Sequence, residues 1–222
     1  MRYKPHPLWA LAALPLMLLA DRAGPLVSPS RRAIPDTLWL LAKKPPSDAV
    51  HLSDTEATLR ARYGAANVRV ERVEVGEGVS VPGLVLFPND STLRLEVEWG
   101  DSLARAKPSR VTMHGAASRW VVFPGVHIGM TLRQVERVNA GPFRLTGFGW
   151  DYGGMVTSWE HGRLELLWRS PRNRRAITVR FDASASAAEL VSIVSGEAEH
   201  GSDERAMYRL NPRIIEIAVA PQ

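Results

Sequence analysis

The stretch Leu93–Trp99 constrains the fold of this chain more than any other. Leu93, Leu95, Val97 and Trp99 alternate with Arg94, Glu96 and Glu98. Successive side chains of a strand point to opposite faces, so the pattern puts an apolar row on one side and a charged row on the other. Such a strand belongs to an antiparallel sheet that covers a core with one face and meets water with the other. Neighbouring runs extend the sheet. Val68–Val75 reads as a strand with a bulge at Glu71-Arg72, and Val81–Phe87 as a strand ending in the turn Pro88-Asn89-Asp90. Arg110–His114 and Trp120–Phe123 add two short ones. A helix precedes them. Ser53 with Glu56 three residues later fits a reciprocal capping box, Gly64 supplies a left-handed stop, and Ala57, Leu59, Ala61 and Tyr63 are available for packing.

The same order returns in Ile128–Trp168. Thr131 and Gln134 form a second capping box, Met130 can staple onto Val135, and Gly141-Pro142 ends the helix. Three strands are expected after it: Phe143–Tyr152, Met155–Glu160 and Arg163–Trp168, joined through Gly153-Gly154 and His161-Gly162. Further on, Ile177–Phe181 reads as a strand and Ser186 with Glu189 as the start of a third helix stopped by Gly196. The sequence then predicts a loop over Glu197–Arg205 and a last strand over Arg213–Ala220. The class is α+β, arranged as two tandem units of a helix packed on an antiparallel sheet, at residues 51–124 and 125–222.

Residues 1–20 carry Arg2 and Lys4, an apolar run from Leu8 to Ala20 and small residues at its end, the grammar of a signal peptide. The run is shorter than the roughly 20 apolar residues that span a bilayer, so cleavage near Ala20–Ala23 is expected, with an uncleaved inner-membrane anchor through residues 8–20 as the alternative. Residues 21–50 hold five prolines and read as a linker arm. Within it, Thr37–Ala42 is either a short helix against the body or a partner-binding segment. The chain of 222 residues has no cysteine, which removes disulfides, thiolate metal sites, thiol nucleophiles and the lipidated cysteine of bacterial lipoproteins. Its formal charge is +5; without Arg2 and Lys4, 26 basic residues face 23 acidic ones, a net +3. That balance gives no footprint for nucleic acid.

The residues Ile128-Gly129-Met130-Thr131, Gln134-Val135 and Gly141-Pro142, followed by an aromatic strand, resemble the SmpA/OmlA (BamE-type) family of small outer-membrane-associated proteins. The two helix-plus-sheet units are similar to the β-lactamase-inhibitor-protein architecture. The strings GFGWDYGG, YGAANV and LRLEVEW also resemble uncharacterised secreted bacterial proteins. The resemblance implies a cell-envelope protein of a Gram-negative bacterium, although this chain lacks the family's lipidated cysteine and is about twice as long.

The candidate site residues lie mostly in that aromatic stretch. On a strand, Phe148, Trp150 and Tyr152 share one face, while Gly147, Gly149, Asp151 and Gly153 share the other. Either the rings are core and the glycines seat the helix Thr131–Ala140, or Trp150, Tyr152 and Trp159 are exposed anchors for a protein partner, with Asp151 as a polar contact. Asp151 also fits a turn. Arg169, Arg172, Arg174 and Arg175 form the one basic cluster, either a solvated loop or a contact for an acidic partner or anionic envelope components. Six scattered histidines lack the spacing of metal ligands, and neither a G-x-S-x-G elbow, a P-loop nor a dinucleotide fingerprint is present, so no metal or cofactor is expected. The expectation is an exported, non-enzymatic protein-binding module in the periplasm, or secreted, that holds an envelope partner through Trp150, Asp151, Tyr152, Trp159 and the basic residues Arg172, Arg174 and Arg175. No nucleic acid and no stable membrane span belong to this expectation, and oligomeric state carries no signal. The alternative is a periplasmic hydrolase or carbohydrate-binding protein with its site at the Asp151 loop.

Overall fold

Helix α1, Glu56–Tyr63, begins at Thr55, whose side chain accepts from the Thr58 backbone while the Thr58 hydroxyl accepts from the Thr55 backbone. The cap therefore sits two residues beyond the expected Ser53, because two threonines satisfy each other and leave Glu56 free to pair with Arg60 and Arg105. The computed structural model describes residues 48–168, 177–183 and 188–221. Contacts divide the chain into Met1–Ile34 and Pro35–Gln222, and every described residue belongs to the second unit. The export segment, Thr37–Ala42 and Arg169–Arg175 lie outside the described residues.

Six strands form the main sheet: β1 (Val68–Gly76), β2 (Val79–Leu86), β3 (Leu95–Asp101), β4 (Ala106–His114), β9 (Ile177–Asp182) and β11 (Arg213–Val219). Their order is β1-β2-β3-β4-β11-β9, and every neighbouring pair is antiparallel. The alternation in β3 is honoured: Leu95, Val97 and Trp99 are buried, while Glu96 and Glu98 turn to the other face. The irregularity in β1 falls at Glu74–Gly76 and not at Glu71-Arg72, since Glu71 and Arg72 stay in register with Gly83 and Pro82. Strands from both sides of residue 124 share this one sheet, with β11 joined directly to β4.

The middle of the chain supplies β5 (Val121–Val122), β6 (Val126–His127) and helix α2, Leu132–Asn139, capped by Thr131 and Gln134 as expected. Strand β7 (Arg144–Thr146) lies between β8 (Val156–Ser158) and β10 (Glu199–Gly201) in a three-stranded sheet. Three expectations are corrected in this region. The strand expected over Phe143–Tyr152 stops at Thr146, and the rest is a closed loop. Arg163–Trp168 is helix α3. Its Leu164 and Trp168, four apart, are both buried, and the buried Asn139 amide oxygen accepts from the Leu164 backbone at its start. The loop expected over Glu197–Arg205 contains β10 and leads into α5, Arg205–Leu210, after α4, Ala188–Ile193. Burial of Met207 and Leu210, three apart, anchors α5.

One continuous core joins the apolar sheet face to the helices: Leu84, Leu95, Val111, Val179 and Ile217 meet Leu59, Leu132, Phe143 and Leu164. Burial on this scale, at about 25 cal/mol per Å² of apolar surface, holds a chain without disulfides together. Among the described residues, no helix is long and apolar enough to cross a membrane.

Candidate functional site

The polar face of the main sheet floors a cleft of about 670 Å³. Strand pairing sets His114 opposite Glu216 and Glu216 opposite Arg180, a row across β4, β11 and β9, with the pair Glu96 and Thr112 two residues along the same face of β3 and β4. A bulge places Glu216 in that row. Between Ile214 and Glu216 the register of β11 against β9 shifts by one residue. Ile214 is buried on the core side, Ile215 bulges outward, and Glu216 turns to the polar side while Ile217 returns to the core.

The floor is closely paired. Glu216 receives Arg180 at 3.0 Å and Arg110 at 3.3 Å, and His114 Nδ1 stands 3.7 Å away. The other ring nitrogen, His114 Nε2, lies 3.4 Å from Glu96, which also receives Arg94 at 3.0 Å. The hydrogen bond with His114 holds the Glu96 carboxyl below the ordinary glutamate value, with Arg94 adding to it, against burial, which acts in the opposite sense. His114 is thus held between two carboxylates, and Arg110 and Arg180 share Glu216.

A loop of eight residues, 147–154, stands over this floor, and its closure is local chemistry. The Trp150 indole N–H donates to the Gly147 carbonyl at 3.1 Å, and the Thr146 hydroxyl donates to the Tyr152 carbonyl at 2.6 Å. Gly147 is required because a Cβ there would meet the Gly196 and Val194 carbonyl oxygens at 2.5 and 2.6 Å. Gly147 therefore admits the segment around Ser195, while Gly153 and Gly154 admit the loop's own backbone and the Phe181 carbonyl; none of these contacts is with helix α2, which the strand reading expected the glycines to seat. Phe148 is buried, whereas Trp150 and Tyr152 are half-buried, with ring centroids 5.5 Å apart in an edge-to-face arrangement.

Two adjacent loop residues reach opposite edges of the sheet. Arg180 on edge strand β9 donates to the Asp151 carbonyl at 3.4 Å. Tyr152 lies against Gly76 at the end of edge strand β1, with Glu77 of the β1–β2 turn in the same cleft lining. Burial, then the charge of Glu77, pushes the Tyr152 hydroxyl above the ordinary tyrosine value. A second depression of about 360 Å³ lies on the far side of the loop, and Trp150, Asp151 and Arg180 line both. The loop is a partition between two hollows.

Of the residues singled out in the sequence, Trp150, Asp151 and Tyr152 meet at this cleft. Trp159 does not. It is only 4% exposed, packed between Phe143 and Trp168 with centroids 5.3 and 5.1 Å away. The expectation that it is an exposed anchor is corrected: β8 ends at Ser158, and the chain turns Trp159 inward, where its carbonyl accepts from Asn139. Arg172, Arg174 and Arg175 lie outside the described residues. Sequence reasoning missed His114, Arg180 and Glu216. Their signal was the alternation of Arg110, Thr112 and His114 with Val111 and Met113, and of Arg180 with Val179 and Phe181.

On the floor, Glu216 is held by Arg110 and Arg180 and Glu96 by Arg94, and among the described residues no serine or threonine hydroxyl is hydrogen-bonded to His114. No family model, curated protein or solved structure matches the chain.

Proposed function

We propose that this is an exported, non-enzymatic protein of the cell envelope whose binding site is the cleft over the polar sheet face, with Trp150 and Tyr152 anchoring a protein partner. One observation carries the reading: two half-buried rings line a cleft of about 670 Å³, on a loop that touches both edges of the sheet. Rings held this way offer apolar area at little cost in side-chain freedom, which is the character of binding hot spots. Export rests on the basic start and apolar run of residues 1–20. The proposal extends to two tandem BamE-like units merged through β4 and β11, supported by the threonine-capped helices α1 and α2 at corresponding places in the two halves.

A photo-crosslinking residue placed at Trp150 in the full chain tests the partner reading. A single envelope protein crosslinked from Trp150, and not from exposed Leu103 at the β3–β4 turn, is expected. Crosslinks of equal yield from both positions, or none from Trp150, overturn it. Cell fractionation tests export, and recovery of the chain wholly in the cytoplasm sinks that part. The second reading, a hydrolase or carbohydrate-binding protein, has one observation in its favour, the exposed Asp151 carboxylate between the two hollows. Turnover of glycoside or ester substrates that Asp151→Asn abolishes would replace the binding reading with this one.

A further inference from the structure

We propose that the cleft takes a cationic peptide segment, with a lysine or arginine side chain of the partner set against the Trp150 and Tyr152 rings; this rests on the binding reading above and names the chemistry of its ligand. The lining carries three arginines, Arg72, Arg110 and Arg180, against five carboxylates, Glu74, Glu77, Glu96, Asp151 and Glu216. The position of the excess charge matters more than the tally. Arg110 and Arg180 are both held by Glu216, and Arg72 donates to the hydroxyl and carbonyl of Ser80 on the neighbouring strand. An anionic ligand would have to displace Glu216 from two arginines to find a partner on the floor.

At the mouth the situation is reversed. Glu74 and Asp151 are exposed and their carboxylates have no hydrogen-bonding or ion-pair partner among the described residues. Glu77, exposed in the β1–β2 turn, has no ion-pair partner among the described residues. These three carboxylates share the cleft lining with the ring pair: Glu74 comes from the end of β1, Glu77 from the β1–β2 turn and Asp151 from the partition loop. A cation over an aromatic face is attracted by the ring quadrupole, and a neighbouring carboxylate adds to that attraction. The same molecule already shows the pairing elsewhere, where the Arg133 guanidinium lies 3.9 Å from the centroid of the Tyr208 ring. The floor, with Thr112, Glu96 and His114, then offers hydrogen bonds to peptide backbone. Because the whole chain is net basic, at +5, attraction for a cation has to come from a local feature such as this mouth and not from overall charge.

Fluorescence anisotropy with the full chain tests the inference, using three labelled octapeptides that alternate glycine with lysine, glutamate or serine. The lysine peptide is expected to bind saturably and most tightly. Trp150→Ala should weaken it about fivefold or more, as loss of a cation–π contact implies, and the pair Glu74→Gln with Asp151→Asn should weaken it further. Raising salt should weaken it too, since exposed charges are screened beyond about 10 Å at 0.1 M. If the glutamate or serine peptide binds more tightly and still depends on Trp150, the cationic inference is overturned while the cleft remains a peptide site. If the lysine peptide binds equally well to wild type and to Trp150→Ala, contact is nonspecific and the inference fails. If no peptide binds with dependence on Trp150, the inference falls, and the crosslinking experiment decides the binding reading separately. Circular dichroism of each variant confirms that the folded chain is being compared.

Discussion

Tyr152 lies against Gly76 with little room for a methyl group between them: a Cβ at Gly76 would stand 3.2 Å from both the ring and the hydroxyl oxygen. Gly76 also adopts φ of +114°, a backbone region that side chains avoid. This contact ties the partition loop to the far edge of the sheet. Gly76→Ala is therefore expected to cost about 1–2 kcal/mol and to shift the Tyr152 ring. Urea unfolding measures the first and near-ultraviolet dichroism the second. An unchanged midpoint with an unchanged spectrum would show that the contact does not constrain the loop.

The two tryptophans that looked alike in the sequence should behave differently. Trp159→Ala removes a ring buried between Phe143 and Trp168 and should destabilise by about 3–5 kcal/mol. Trp150→Ala removes a half-buried ring with one edge-to-face neighbour, and about 1 kcal/mol is expected. Equal losses in denaturant melts of the two variants would contradict the placement of Trp159 in the core.

Asn139 organises the junction of α2, β7 and α3. Its side-chain N–H groups donate to the carbonyls of Gly141, Pro142 and Trp159 at 3.1–3.2 Å, and its oxygen accepts from the Leu164 backbone at 3.0 Å. Asn139→Ala leaves these buried groups unpaired, for an expected loss of about 3 kcal/mol. Gly162→Ala should be damaging for a related reason, because the new Cβ would overlap the Asn139 amide. Amide hydrogen exchange at Leu164 checks both variants, and unchanged protection would argue against this role.

Acid should expose the ion pair that fastens the start of the described chain. Burial pushes the Asp54 carboxyl up, but the Arg62 guanidinium, with the His51 N–H and the Thr58 hydroxyl, outweighs it and leaves Asp54 more acidic than an ordinary aspartic acid. A carboxyl more acidic in the folded state stabilises fully above its unfolded pKa, about 3.9, and that contribution is lost as the pH falls through its folded value. Asp54→Asn should therefore melt lower than wild type at pH 7, with the gap closing as the pH drops below about 4. Thermal melts from pH 7 to 2 test this, and a gap independent of pH would refute it.

Local chemistry explains which elements could be read in advance. The cap of α2 was legible because Thr131 and Gln134 are three residues apart and satisfy each other's backbones. Strand β3 was legible because its two faces meet different surroundings. Helix α3 was misread because Leu164, Leu166 and Trp168 alternate like a strand; its start is fixed by Asn139, which lies 25 residues earlier. Gly147–Tyr152 reads as the second half of a strand but forms a loop, because the hydrogen bonds that close it, such as Trp150 to Gly147, cannot be inferred from alternation. The same closure makes Trp150 and Tyr152 neighbours in an edge-to-face pair.

The sequence by itself determined the class of the protein and the existence of a charged sheet face, because period-two alternation, capping pairs and turn glycines act over a few residues. It also marked Trp150, Asp151 and Tyr152 as unusual. Only the tertiary structure decided what that face does. Arg110 and Glu216 are 106 residues apart in the chain and meet because β4 and β11 pair. The bulge at Ile215 turns Glu216 into the same row, and the loop beside it stands over that row with rings and unpaired carboxylates at its mouth. Strand order and register are chosen by burial of the whole apolar face at once, so no short stretch of sequence contains them.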